Sequence, residues 1–241
     1  MLLYSLQVIV KEKIQKITSS DFRRFILAIT DGFTDELKSK INFHITDESF
    51  KSTNQRKIPY LLFAKPSDKS FRLFAYGEVG LEILEKIKEI YPNEFYLKEQ
   101  KFTVQKLVLN EPESIMPKSS AKSIYYKTKT PIMLFRNERR KVFDGIIHHN
   151  EDLVKRDFEF QKAINDLIVK NLRYQLKTLV KDKEYGFLDD IKLNWQEFKI
   201  IKIKNRNNLE PVVVGEFITP WELPRFIGQR IGDGFGELLR V

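Results

Sequence analysis

Apolar residues occupy every second position at the start of the chain: Leu2, Tyr4, Leu6, Val8 and Val10. This period of two predicts a strand with one buried face. The next apolar residues recur at the three- and four-residue spacing of a helix: Phe22, Phe25, Ile26 and Ile29. Ser19 or Ser20 is the predicted N-cap of this helix, and Gly32 is its predicted end.

The following residues continue in the order of a ferredoxin-like unit. A short helix is predicted over 35–41 with Thr34 as its cap, followed by a basic loop. Two short strands are predicted over 60–65 and 71–76, with a polar turn between them. An amphipathic helix over 78–91 and a long strand or bent strand pair over 95–109 complete the order β-α-β-β-α-β.

Residues 111–121 contain two prolines and several small polar residues, which predicts a linker. The segments after it repeat the order with a strand over 124–135, an extra strand over 141–147, a long helix after Asn150, and strands over 191–204 and 211–218. Thr219 is predicted to cap a short helix with Pro220 at its first position, before a last strand. We therefore predict an α+β protein with two tandem ferredoxin-like domains, residues 1–110 and 122–241.

The amino-acid composition favours some binding partners and excludes several kinds of functional site. Lys and Arg total 42 against 33 Asp and Glu, a net charge of +9 that suits a polyanion such as nucleic acid. The absence of cysteine excludes disulfides, thiolate metal sites and cysteine nucleophiles. Adjacent His148 and His149 do not supply convergent ligands, so we expect no metal and no cofactor. No apolar run has membrane-spanning length, and we expect a soluble cytoplasmic protein.

A cluster of glycines lies close to the C-terminus: Gly228, Gly232, Gly234 and Gly236. Such a cluster indicates backbone with positive φ or the close approach of another molecule. Only five residues follow Gly236, and no Gly-Lys-Ser/Thr triplet is present, which excludes a phosphate-binding P-loop and a dinucleotide fingerprint. A tight turn into the last strand is the alternative.

The arrangement Ile-Gly-x-x-x-Gly-x-Gly-Phe-Gly over 227–236 resembles the glycine-rich signature of the repeat-associated mysterious proteins (RAMPs) of CRISPR systems. Within these it most resembles the endoribonuclease that cuts CRISPR repeat RNA. Three further segments resemble that family: Phe43-His44 with the basic loop and strand after it, Thr130-Pro131-Ile132, and Asn171-Leu172-x-Tyr174. The resemblance spans most of the chain and implies two tandem ferredoxin-like domains closed by a C-terminal glycine-rich loop.

The resemblance also implies an activity, which is metal-independent cleavage of precursor CRISPR RNA that leaves 2′,3′-cyclic phosphate and 5′-hydroxyl ends. This cleavage needs a base for the ribose 2′-hydroxyl, an acid for the leaving oxygen and a cation for the phosphorane. His44 occupies the place of the family's catalytic histidine, and Lys51 and Lys57 are both candidates to assist it. Many family members have a tyrosine in the first helical region, where this chain has Ile29 or Phe33.

Basic residues in both halves are candidates for RNA binding. Lys202, Lys204 and Arg206 alternate along one predicted strand, which places three charges on one face. The full candidate set is Arg23, Arg24, Arg56, Lys127, Lys129, Arg136, Arg139, Arg140, Lys202, Lys204, Arg206, Gln229 and Arg230. Together they predict a basic cleft between the two domains.

Three functions remain open from the sequence. The first is the repeat-RNA endoribonuclease, with CRISPR repeat RNA in precursor transcripts as its partner, acting as a monomer or homodimer. The second is a RAMP subunit that binds repeat RNA or its 5′ handle beside other subunits of a CRISPR effector complex and cuts nothing; the absent tyrosine favours it. The third is a basic ferredoxin-like protein unrelated to CRISPR.

Overall fold

Two antiparallel sheets organise the chain, one in each of two compact units. The structure is a computed structural model and describes residues 1–42, 44–46, 57–133, 158–180, 185–205, 208–228, 231 and 235–241. The first unit is formed by Met1–Ile115, and the second starts at Met116. The predicted α+β class with ferredoxin-like units is confirmed.

The first unit holds a five-stranded sheet in the order β4-β5-β1-β7-β6, and β2 and β3 form a separate hairpin. The order of β4, β5, β1 and β7 is ferredoxin-like, and β6 adds an edge strand. The elements are β1 (Leu2–Val10), α1 (Ser19–Ile29), α2 (Asp35–Asn42), β2 (His44–Thr46), β3 (Lys57–Pro59), β4 (Leu61–Phe63), β5 (Ser70–Tyr76), α3 (Gly77–Ile90), β6 (Glu94–Leu97) and β7 (Gln100–Ser114).

The helices of this unit pack on one face of its sheet. The alternating residues of β1 from Tyr4 to Val10 are buried there, as their period of two predicts. Phe22 from α1 and Ile83 from α3 are fully buried against them. Burial of each such side chain contributes about 1.5–3 kcal/mol, so this core holds the helices on the sheet.

The start and end of α1 differ from the prediction by one to three residues. Thr18, and neither Ser19 nor Ser20, is the N-cap, because its hydroxyl accepts the Asp21 amide at 3.2 Å while Asp21 accepts the Thr18 amide at 2.9 Å. At the other end, the Thr30 hydroxyl donates to the Ile26 carbonyl at 3.0 Å, and α1 ends at Ile29. Gly32 lies in the short 3-10 turn that follows.

The second unit holds a four-stranded sheet in the order β11-β8-β10-β9, which is again ferredoxin-like. Its elements are β8 (Lys118–Thr128), α4 (Phe158–Leu179), β9 (Asn194–Asn205), β10 (Asn208–Glu222) and β11 (Leu238–Arg240). The predicted extra strand over 141–147 and the start of the long helix after Asn150 lie outside the described residues.

The predicted helix at Thr219 and Pro220 is wrong, because both residues lie inside β10. Pairing of β10 with β9 stops at Ile218, and Pro220 falls where the register between β10 and β8 is irregular. A proline at such a position takes no hydrogen bond away from the sheet, so the strand continues through it.

The two units divide between Ile115 and Met116, inside the predicted linker over 111–121, but β7 runs to Ser114 and β8 begins at Lys118, so only three residues separate the strands. Pro112 signals a break in the sequence, but it sits in a β-bulge. Between the pairs Leu3 with Glu113 and Ser5 with Asn110, β7 has one more residue than β1. A bulge tolerates the missing amide hydrogen of proline.

Candidate functional site

His44 is the first residue of the β2–β3 hairpin. The register pairs His44 with Pro59 and Thr46 with Lys57, which places Lys57 two residues along the partner strand from the position opposite His44. The hairpin follows α2, whose Leu37 and Ile41 are buried in the core of the first unit. Lys51 and Arg56 lie outside the described residues.

A small pocket lies between the end of α1 and α2, and α2 is the helix directly before His44 in the chain. It is lined by Leu27, Thr30, Asp31, Lys38 and Ile41, and Lys38 pairs with Asp31 at 3.2 Å. The resemblance to the RAMP endoribonucleases implies a tyrosine at the place of Ile29 or Phe33, and neither residue can supply an acid. Ile29 and Phe33 pack against the hydrophobic core instead.

The two described glycines of the C-terminal cluster need their lack of a side chain. Gly236 has φ +72°, and a Cβ there would overlap the carbonyl oxygen of Ile227. Gly228 has φ +99°, and a Cβ there would lie 2.7 Å from the carbonyl oxygen of Met133. Backbone hydrogen bonds hold Gly236 close to these neighbours, because its amide donates to the Pro131 carbonyl at 2.9 Å and its carbonyl accepts from the Ile227 amide at 3.0 Å. Both glycines therefore lie tightly against neighbouring backbone.

Glu237, directly after the loop, is a buried carboxylate that the sequence analysis missed. Its side chain has no exposed surface and contacts Lys129 at 3.1 Å and Arg225 at 3.2 Å. Its backbone amide donates to the Thr130 hydroxyl at 2.8 Å. A buried charge needs such partners. Its only signal in the sequence is one acidic residue between the last glycine and the apolar Leu238-Leu239.

Two of the segments that resemble the RAMP family meet at Gly236 and Glu237. Pro131 and Thr130 accept hydrogen bonds from Gly236 and Glu237. From α4, the Gln175 amide donates to the Phe226 carbonyl at 3.0 Å and ties the helix to the segment that leads into Gly228. Asn171, in the Asn-Leu motif, is buried and donates to the Leu167 carbonyl of its own helix at 2.7 Å.

Two of the candidate RNA-binding lysines are already engaged by carboxylates. Lys127 and the Tyr125 hydroxyl both bind Glu216 across β8 and β10, and Lys129 binds Glu237. Hydrogen bonds from Lys127 and Tyr125 lower the pKa of the Glu216 carboxyl, and the same Glu216 contact raises the pKa of Lys127. Lys129 is therefore held as the counter-ion of a buried charge, whereas the Lys127 side chain is 57% exposed.

The other candidates are placed as follows. On α1, Arg23 is half-buried and Arg24 is exposed. Lys202 and Lys204 lie in β9, at the register positions of Pro211 and Leu209 of β10. The candidates outside the described residues are Arg56, Arg136, Arg139, Arg140, Arg206, Gln229 and Arg230, together with Gly232 and Gly234.

Among the residues that the structure describes, no three His, Asp or Glu side chains come together in a way that could hold a metal ion. No helix in the described ranges has the length and apolar character to cross a bilayer.

No protein-family model matches the chain, and no curated protein matches its sequence. Solved structures do match, and in the three that follow the match covers 100% of both chains. A crystal structure of Cas6b has a TM-score of 0.68 at 17% identity, and one of the CRISPR RNA processing endoribonuclease Cas6b has 0.60 at 17%. A RAMP protein that binds different RNA substrates has 0.58 at 11%. The chain is therefore similar in fold, over its whole length, to Cas6 endoribonucleases and RAMP proteins, as the glycine-rich signature predicted.

Proposed function

We propose that this protein is a metal-independent endoribonuclease that binds and cleaves CRISPR repeat RNA in precursor transcripts and so generates mature crRNAs. The observation that carries the proposal is the whole-length similarity in fold to a CRISPR RNA processing endoribonuclease. A histidine stands on the hairpin after α2, at the position that the resemblance gives to the catalytic residue.

His44 takes the proton of the ribose 2′-hydroxyl next to the scissile phosphate. The 2′-oxygen then attacks the phosphorus, the bond from the phosphorus to the 5′-oxygen breaks, and the 5′-oxygen takes a proton from water, while the protonated His44 returns its proton to the solvent. The products carry a 2′,3′-cyclic phosphate and a 5′-hydroxyl. A nearby ammonium stabilises the negative charge that develops on the phosphorane.

Lys57 is the better supported partner of His44. In the register of the hairpin Lys57 lies opposite Thr46, two residues along β2 from His44, whereas Lys51 lies outside the described residues. Lys51 stays the second candidate for the same role.

The glycine-rich loop binds the repeat. Its ends are held by Gly228 and Gly236 against backbone, and Glu237 is locked by Lys129 and Arg225. Gln229 and Arg230 lie between these two glycines in the sequence. These two side chains and the basic residues of β9 contact the RNA.

The second candidate function, a RAMP subunit that binds repeat RNA without cutting it, is favoured by one observation. Ile29 and Phe33 are partly buried and pack against the core, and the first helical region lacks the tyrosine that the resemblance to the RAMP endoribonucleases implies. Salt-sensitive repeat binding with no product at any pH would support this function.

The test uses labelled repeat RNA from the CRISPR array encoded in the same genome, incubated with purified protein in EDTA. We expect cleavage by the wild type, and a rate about 10²–10⁴-fold lower for His44→Ala with binding retained. His149→Ala is the matched control and should cleave like the wild type. A 2′-deoxy substitution at the scissile nucleotide should abolish cleavage, since it removes the nucleophile.

Cleavage that survives His44→Ala unchanged would remove His44 from the mechanism. Cleavage that requires added Mg²⁺ would contradict the metal-independent reaction. Binding without cleavage by any variant would assign the chain to the second candidate function.

A further inference from the structure

Tyr96 is a large aromatic side chain that the fold leaves in solvent. It lies on β6, the edge strand of the first sheet, and is 64% exposed. Its neighbours Phe95 and Leu97 point to the other face and are buried in the core. The core therefore needs Phe95 and Leu97 on this strand but gives no reason for an aromatic ring at Tyr96.

Four exposed lysines lie on β7 and the adjoining segment after β1. Lys101 is the cross-strand partner of Tyr96, and Lys106 lies further along β7. The Lys11 amide donates to the Thr103 carbonyl at 3.0 Å, and the Lys13 carbonyl accepts from the Gln100 side chain at 2.6 Å. These contacts place all four lysine positions along one hairpin. We call this set of residues the β6–β7 surface: Tyr96, Lys11, Lys13, Lys101 and Lys106.

The acidic groups near these lysines leave much of the positive charge available. Glu94 pairs with Lys101 at 2.8 Å, but both side chains are about half exposed, and such pairs are worth only about 0–1 kcal/mol. Glu12 is engaged by the Thr103 amide at 2.7 Å. The Lys13 and Lys106 side chains form no hydrogen bond or ion pair with any residue that the structure describes.

The segment that carries Lys11 and Lys13 is held in place. Lys98, in the turn of the β6–β7 hairpin, binds both the Lys16 carbonyl at 2.9 Å and Asp21 at 2.9 Å. With the contacts of Gln100 and Thr103, this fastens residues 11–18 to the hairpin. A surface ordered in advance loses less entropy when it binds a ligand.

An exposed aromatic ring among lysines is the combination that binds single-stranded nucleic acid, since the ring stacks on a base while the ammonium groups follow the phosphates. A protein partner would require an apolar patch around the tyrosine, and its cross-strand neighbour here is a lysine. We propose that the β6–β7 surface is a second RNA-binding surface, which holds the single-stranded precursor next to the repeat. This inference rests on the proposed function.

The test compares binding of two RNAs by fluorescence anisotropy in EDTA. One is the repeat alone, and the other is the repeat with oligouridylate tails of about ten nucleotides at both ends, within the site size of single-strand binders. For Tyr96→Ala we expect about tenfold weaker binding of the tailed RNA, as for loss of one stacked base, and unchanged binding of the repeat alone. Tyr96→Phe keeps the ring and should bind the tailed RNA like the wild type.

A charge variant tests the phosphate contacts. Lys106→Gln should weaken binding of the tailed RNA and lower its salt slope by about 1. Lys88→Gln is the matched control, because Lys88 is exposed on α3, in the helical layer of the same unit, and its loss should leave both RNAs unaffected.

The outcomes separate this inference from the proposed function. If the wild type cleaves the repeat while Tyr96→Ala and Lys106→Gln bind the tailed RNA normally, the second surface is overturned and the proposed function stands. If the wild type binds neither RNA, both are overturned. If Tyr96→Ala weakens binding of the repeat alone to the same extent, the surface belongs to the repeat-binding site and is not a second one.

Discussion

Glu237 has no exposed surface, and its charge is neutralised by Lys129 and Arg225. Removing the carboxylate leaves two partly buried cations facing each other without their counter-ion. Glu237→Ala should therefore lower the free energy of unfolding by about 3 kcal/mol, as measured by urea denaturation. Glu222→Ala is the matched control because Glu222 pairs with Arg240 at 3.1 Å on the surface, and its loss should cost less than about 1 kcal/mol.

Equal free energies of unfolding for the two variants would show that the ion pairs of Glu237 do not stabilise the fold. Sequence reasoning finds the glycines around it but not the carboxylate itself. A glycine cluster indicates unusual backbone from the local sequence alone. The burial of Glu237 depends on Lys129 and Arg225, and neither is its neighbour along the chain. Only the fold brings these three residues together.

At the scale of the element, α1 depends on its first turn. Burial raises the pKa of the Asp21 carboxyl, but hydrogen bonds from the Thr18 hydroxyl and amide and the charge of Lys98 outweigh it and lower the pKa from 3.8 to about 2. The folded state therefore binds this proton less readily than the unfolded chain. The resulting stability is full above pH 4 or so and is lost as the pH falls towards about 2.

Asp21→Ala should lower the free energy of unfolding by about 1–2 kcal/mol near neutral pH, because it removes one half of the capping box. Urea titrations of wild type and variant should show this difference shrinking as the pH is lowered from about 5 to about 3. Asp31→Ala is the control, since the Asp31 side chain is 87% exposed in its pair with Lys38 and its loss should cost less than about 1 kcal/mol. A difference that grows at low pH would contradict the capping role.

The elements that the sequence predicts well are those with a regular apolar period, such as β1 and α3. The two largest errors fall at prolines. Pro112 and Pro220 are strong break signals, yet both sit where the strand register is irregular, so β7 and β10 continue through them. Whether a proline interrupts a strand depends on the partner strand, which the local sequence does not contain.

At the scale of the whole molecule, the candidate site is predictable from the sequence only as far as its motifs are local. His44 and the glycine cluster stand out in the chain, and the structure adds the position of Lys57 in the hairpin and the anchoring of the loop ends. The charge of +9 indicates a polyanion but does not say which lysines bind it. Lys129 illustrates this limit, because its charge serves Glu237.

The net charge of +9 predicts that RNA binding by the whole protein depends on salt. Contacts between lysines or arginines and phosphates release counter-ions, so affinity for the repeat should fall steeply with salt, by about 10³-fold if about six phosphates are neutralised between about 50 and 200 mM. A DNA strand of the same sequence carries the same phosphates but lacks the 2′-hydroxyls. It should show a similar salt slope with lower affinity at every salt concentration.

Anisotropy titrations of both strands with the wild type in EDTA measure this directly, and a scrambled RNA of equal length reports the part of the affinity that depends on sequence. If plots of log affinity against log salt are parallel for RNA and DNA, the difference in affinity comes from contacts to ribose and bases, because the phosphate contribution is common to both strands. A repeat affinity that does not change with salt would contradict binding through the basic residues, since each phosphate contact contributes to the slope.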